Sequence, residues 1–140
     1  MRAKLLLVLL IAVGLSACKN STNNSACGTE MCTAEFASIG IEATDNTDSL
    51  IYLKDVKVIN KRTNKPVKLP VAQPGGIHAP NYVPIANDNT KDEFSTAGDD
   101  IEITATNKAT NQTKTITLKI SGGCNCHVAK VSGADKLVFD

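Results

Sequence analysis

Two cysteines stand one residue apart in Gly123-Cys124-Asn125-Cys126-His127, and two more, Cys27 and Cys32, lie near the other end of the chain. No other feature constrains the fold as much. In an extended segment, residues i and i+2 face the same side with Cα atoms about 6.6–6.8 Å apart, whereas a disulfide prefers about 5.5–6 Å. A Cys124–Cys126 bridge would therefore distort the backbone. Both sulfurs instead face one side, ready for two partners on a neighbouring segment, and Cys27 and Cys32 can supply them. The expectation is two bridges that tie the N-terminal segment to a strand at 124–128, with the pairing left open. A Cys32–Cys124 bridge, for instance, closes a loop of about 93 residues, worth roughly 4.5 kcal/mol in the chain-entropy picture. The net stability of a small domain is only about 5–15 kcal/mol.

Bridges need an oxidising compartment, and the N-terminus supplies the route. Arg2 and Lys4 precede an uncharged apolar run from Leu5 to Leu15. That run is shorter than the roughly 20 residues of a spanning helix and suits the core of a secretory signal. Leu15-Ser16-Ala17-Cys18 then resembles the bacterial lipobox. The resemblance implies cleavage before Cys18, lipidation of that cysteine and membrane attachment through its acyl chains. Lys19 follows; by the sorting rules of well-studied proteobacteria, only an aspartate there would favour the inner membrane. The expected address is thus the bacterial outer membrane, with the leaflet open. The expected organisation is a signal peptide over 1–17, a lipidated tether over 18–26 and one domain over 27–140.

Fifteen Lys and Arg face fourteen Asp and Glu in the whole chain. Once Arg2 and Lys4 leave with the signal, the balance is thirteen to fourteen, with no basic patch. Nucleic acid is therefore not an expected partner. Residues 19–26, KNSTNNSA, are small and polar, as a flexible tether should be.

Alternation with a period of two recurs along the domain. Ile101, Ile103 and Ala105 share one face, and Glu102, Thr104 and Thr106 the other. Ile116, Leu118 and Ile120 alternate with threonine and lysine, and Val56 falls in phase with Val58. Such half-polar strands belong to antiparallel sheets, and residues 107–112 supply turn chemistry for a hairpin of 100–106 with 113–120. Phe36 is out of phase with Ile39 and Ile41, and a bulge near Gly40 would reconcile them. The last strands are read as CHVAKV (126–131) and KLVF (136–139). No segment carries a helical stripe. The expected fold is all-β, a single antiparallel sandwich of the immunoglobulin-like or transthyretin-like kind.

All five prolines lie between residues 66 and 84. Proline removes a ladder donor, so this region is an extended loop or a broken edge and not a central strand. A long loop on a rigid sandwich can bind, which makes His78 and Tyr82 candidate contact residues.

Other chemistry finds less support. Haem attachment needs C-x-x-C-H, and Cys124-Asn125-Cys126-His127 is one residue short. A zinc, copper or thiol-redox site built on Cys124, Cys126 and His127 is the alternative to structural bridges. His127, next to Cys126, is expected on the opposite face, toward solvent. With two histidines and no elbow serine, a hydrolase triad has little basis. TDNTDS (44–49) and NDNTKDE (87–93) crowd oxygen ligands but lack the EF-hand order, and read as solvated turns. Asp48-Ser49-Leu50 resembles a short bacterial O-glycosylation sequence.

The lipobox, CTAEFASIGIEATD (32–45) and GGCNCHVAKVSG (122–133) together resemble small Bacteroidetes-type lipoproteins of unassigned function. The matching positions are Cys32, Phe36, Cys126, His127, Val128, Ser132 and Gly133. The rhythm of LKDVKVINKRTNKPV (53–67) is similar to transthyretin-like and carboxypeptidase-regulatory-like sandwiches. Neither likeness implies a catalytic mechanism. No catalytic residues, metal or cofactor are expected. The expected function is that of a lipid-anchored, non-enzymatic structural or protein-binding module whose partner is another envelope protein.

Overall fold

The computed structural model describes residues 27–28, 31–70 and 81–140. Cys18, the tether and His78 lie outside the described residues.

The alternation of residues 100–106 becomes the centre of the larger sheet. Strand β5 (Asp99–Asn107) buries Ile101, Ile103 and Ala105 fully and pairs antiparallel with β6 (Thr113–Ser121), which adds Leu118 and Ile120 to the same core. Their outward threonines meet across the strands. Thr104 Oγ1 lies 2.8 Å from Thr115 Oγ1, and Thr106 Oγ1 lies 2.9 Å from Thr113 Oγ1. Asn107 closes the hairpin, its side-chain oxygen accepting the Ala109 and Thr110 N–H groups. Strand β2 (Leu53–Asn60) flanks β5, followed by the short β3 (Lys65–Pro66), while β7 (Ala129–Gly133) flanks β6.

A second sheet faces this one, in the order β4 (Tyr82–Asn87), β1 (Ser38–Asp45), β8 (Lys136–Phe139). Ile41, Val83 and Ile85 pack into the cluster that holds Ile101, Ile103, Leu118 and Ile120. Ala43, Ala105, Leu137 and Phe139 form a smaller cluster. The expected all-β sandwich is the observed fold. It carries one parallel pair, β1 with β8, that residue periodicity does not reveal.

The β1–β4 register shifts between Ile39 and Gly40, which is the irregularity expected near Gly40. A Cβ at Gly40 would meet the Tyr82 ring, so the glycine admits that ring over the strand. Both described strand prolines, Pro66 in β3 and Pro84 in β4, occupy strands that end their sheets. There a missing donor breaks no interior ladder and discourages strand addition.

Three expectations are corrected. Val56 does not share the core face of Val58: the β2–β5 register shifts between Lys54 and Lys57, Asp55 adopts φ 52°, and Val56 stays 36% exposed against 4% for Val58. Residues 124–127 are not part of a strand, which begins only at Ala129. Tyr82 does not lie in a loop. It opens β4, opposite Glu42, and is half buried.

One carboxylate is held inside. Asp99, 3% exposed, accepts hydrogen bonds from Arg62 Nε (2.7 Å), Asn60 Nδ2 (2.8 Å), Ser95 Oγ (2.6 Å) and the Ser95 N–H (3.1 Å). Burial alone would raise its pKa, but these donors keep the carboxyl well below the usual carboxylate range. The set joins the end of β2 to the start of β5.

Candidate functional site

The chain leaves β6 through Gly122 and Gly123 and follows an irregular path dictated by its neighbours. Asp88–Glu93 forms a short 3-10 helix after β4. Gly123 N–H donates to the Lys91 carbonyl (2.8 Å), and Gly122 N–H to that of Ser95 (3.1 Å). Cys124 N–H donates to Thr96 Oγ1 (3.2 Å), Asn125 Nδ2 to the Thr96 carbonyl (3.1 Å), and Lys91 Nζ to the Asn125 carbonyl (3.0 Å). A Cβ at Gly122 would collide with the Lys91 carbonyl, so the close approach requires glycine. Because these backbone groups bond to the 3-10 helix and the turn after it, residues 122–125 do not extend a sheet ladder.

This path brings both sulfurs to the N-terminal segment. The bridges are Cys27–Cys124 and Cys32–Cys126, with Cα separations of 4.9 and 5.2 Å. The long-range cross-linking read from the sequence is present, although Cys32 pairs with Cys126 and not with Cys124, the pairing used above as an example. With all four sulfurs bridged, no thiolate is on offer here. Among the described residues no group of three or more His, Cys, Asp or Glu is placed to hold a metal ion.

His127 does not point to solvent. Its Nδ1 lies 2.7 Å from Asp88 Oδ2 and its Nε2 lies 3.0 Å from Thr33 Oγ1. Beside a carboxylate, Nδ1 carries the proton and donates it, so a neutral ring accepts the Thr33 hydroxyl at Nε2. Asp88 is the hub. Oδ2 also accepts the Ala37 N–H (2.8 Å), and Oδ1 accepts the Val128 N–H (2.9 Å). Burial would raise the Asp88 pKa, but the Ala37 N–H, the His127 ring and the Val128 N–H together hold it below its ordinary value. A hydroxyl–imidazole–carboxylate chain is also the skeleton of an acyl-transfer relay. Here it spans the seam between the N-terminal segment and the sandwich, and none of its three residues lines the large cleft described next. It ties three segments together: the approach to β1, the 3-10 helix and the approach to β7.

The opposite end of the sandwich is different. A cleft of about 770 Å³ is lined by Asp45–Thr47 at the end of β1, by Leu50, Ile51 and Tyr52 before β2, by residues 107–110 of the β5–β6 turn and by Asp140. Leu50 and Tyr52 are 67% and 63% exposed. The loop beneath them is stiffened by Asp45, whose Oδ1 accepts the Thr47 N–H (2.8 Å), the Thr47 hydroxyl (2.7 Å) and the Ser49 N–H (3.0 Å). These bonds lower the Asp45 pKa. The Tyr52 carbonyl accepts the Lys108 N–H at 2.9 Å, which joins two walls of the cleft. The eight steps of β5 place about 27 Å of strand between the clamp and this cleft.

Of the residues singled out in the sequence, the structure gathers Cys27, Cys32, Cys124, Cys126 and His127 at one end, and leaves Tyr82 on an edge strand apart from them. Sequence reasoning missed Asp88, Thr33 and the Leu50–Tyr52 pair. Asp88 was hidden in a stretch that reads as a solvated turn. Leu50 and Tyr52 carry a signal, two large apolar residues outside any strand rhythm. No protein-family model, curated protein or solved structure matches this chain.

Proposed function

We propose that this protein is a lipid-anchored envelope protein whose sandwich is a non-enzymatic binding module for another envelope protein. The observation that carries the reading is the separation of its two ends. The segment leading from Cys18 is clamped beside residues 124–128, and the exposed Leu50–Tyr52 cleft lies at the far end of the strands. Anchored at the first end, the domain presents the second away from the bilayer. Exposed apolar side chains in a preformed concavity are what a recognition surface requires. On this reading contact is made at the far end, and Tyr82, whose ring lies over Gly40, takes no part in it.

Crosslinking and pull-down from native membranes test the reading. Wild type is expected to capture a discrete partner, and Leu50→Asp with Tyr52→Ala to lose it without a change in melting temperature. Cys18→Ser is expected to move the protein from the membrane pellet to the soluble fraction. Retention in the pellet, or a partner captured equally by the cleft variant, counts against it. The rival reading, a metal-binding or thiol-redox lipoprotein using Cys124, Cys126 and His127, requires free sulfurs. Thiol titration of the native protein separates the two, since the binding module shows no reactive thiol.

A further inference from the structure

The clamp holds down a segment that the core does not need. Residues 31–36 are all exposed, Met31 fully and Phe36 by 58%, and none of them lies in a strand. Among the described residues, every buried core hydrophobe lies between Ile41 and Phe139. The segment carries the Cys32–Cys126 disulfide, follows the Cys27–Cys124 one, and meets the sandwich through the Thr33–His127 hydrogen bond, two hydrogen bonds between Ala37 and Asp88, and the partly buried Ala37 side chain packed against the core. Cys27 and Cys32 are exposed and Cys124 and Cys126 half buried, so the sulfurs lie at the surface. A structural staple in a small secreted domain normally joins elements that share a core. These two join a surface segment to a surface loop.

We propose that residues 31–37 form a redox-released strap, freed by a dithiol reductant while the sandwich stays folded. A thiolate of the dithiol attacks one sulfur of Cys32–Cys126 to give a mixed disulfide. The second thiol then displaces the protein sulfur. The dithiol leaves as a disulfide, and Cys32 and Cys126 each gain one electron and one proton. The same exchange opens Cys27–Cys124. The hydrogen bonds that remain are few: Thr33–His127 is exposed, and only the pair between Ala37 and Asp88 is part-buried. Release lengthens the free chain before the first core strand: the fixed point moves from Cys27 to Ser38, eleven residues further from Cys18. At full extension that adds about 37 Å of reach. The proposal rests on the bridges alone and does not require the anchored reading.

Hydrogen exchange of the intact chain with and without dithiothreitol tests it. The expected result is loss of protection at the Ala37 amide, which donates to Asp88, with the amides of β5 and β6 protected as before and the circular dichroism spectrum unchanged. Exchange spreading through β5 and β6 on reduction overturns it, as does an Ala37 amide that stays protected after both bridges are shown by mass to be open. A chain with Cys27, Cys32, Cys124 and Cys126 all replaced by alanine is expected to fold and to match the reduced wild type. Its failure to fold would show the clamp to be part of the core and refute the proposal.

Discussion

His127 Nδ1 sits 2.7 Å from Asp88 Oδ2 across 39 residues of sequence, and the same Asp88 oxygen accepts the Ala37 N–H. One carboxylate thus fastens the approach to β1 and the approach to β7. Asp88 and the buried Asp99 are the two carboxylates on which the clamp end is built, and both predict behaviour in acid.

Asp88 and Asp99 have folded-state pKa values below the ordinary carboxylate value. As the pH falls, the unfolded chain binds these protons first, so their contribution is complete above about pH 5 and fades as the pH drops through the folded values. Calorimetry should find a melting temperature nearly flat from about pH 7 to pH 5 and falling below about pH 4. Asp99→Asn should lower stability at neutral pH by about 2 kcal/mol and flatten part of the acid limb. An acid limb identical in variant and wild type would contradict this assignment.

The Cys32–Cys126 bridge spans 94 residues, worth about 4.5 kcal/mol if it linked two core elements. Because Cys27–Cys124 already closes almost the same loop, the second bridge adds only the closure of the small ring between the two, roughly 2 kcal/mol by the same relation. The pair Cys32→Ala, Cys126→Ala should therefore cost only about 2 kcal/mol, a drop of some 10 °C in calorimetry. A loss near the full value would mean that Cys27–Cys124 does not hold the long loop closed by itself.

Gly40→Ala must displace the Tyr82 ring, which lies where the new methyl would stand. The expected cost is about 1–2 kcal/mol, with a changed tyrosine environment by NMR. In a Tyr82→Ala background the same substitution should cost little, and a double-mutant cycle measures the difference. Additive effects would place the ring elsewhere.

Phe139 is fully buried in the cluster with Ala43, Ala105 and Leu137, while neighbouring Val138 is 41% exposed. Phe139→Ala should cost about 3–5 kcal/mol by chemical denaturation. Val138→Ala should stay within about 0.5 kcal/mol of wild type. Similar values for both would contradict the strand phase of β8.

Strand phase was legible wherever apolar residues alternated without interruption, as in Ile101, Ile103, Ala105 and in Leu118, Ile120. It failed at Val56 because a bulge at Asp55 shifts the register, and Asp carries no strong sequence mark for φ > 0. The cross-linking of two Cys pairs could be read because their even count and their spacing agree. The path of residues 124–127 could not, since it is imposed by carbonyls of the 3-10 helix and of the turn after it. The His127–Asp88–Thr33 chain was hidden for the same reason. Each residue has an unremarkable local context, and only the meeting of three distant segments creates the relationship. The far-end cleft is likewise a property of loops brought together, not of any one of them.

Strand β1 takes one neighbour from β4 and the other, in parallel, from β8. A chain that emerges N-terminus first, from a ribosome or a translocation pore, can assemble β1 with β4 and β2 with β5 and β6 as they appear. It cannot finish β1 until residues 136–139 have cleared the exit. Until then one flank of the smaller sheet is an unpaired template bordering Ala43.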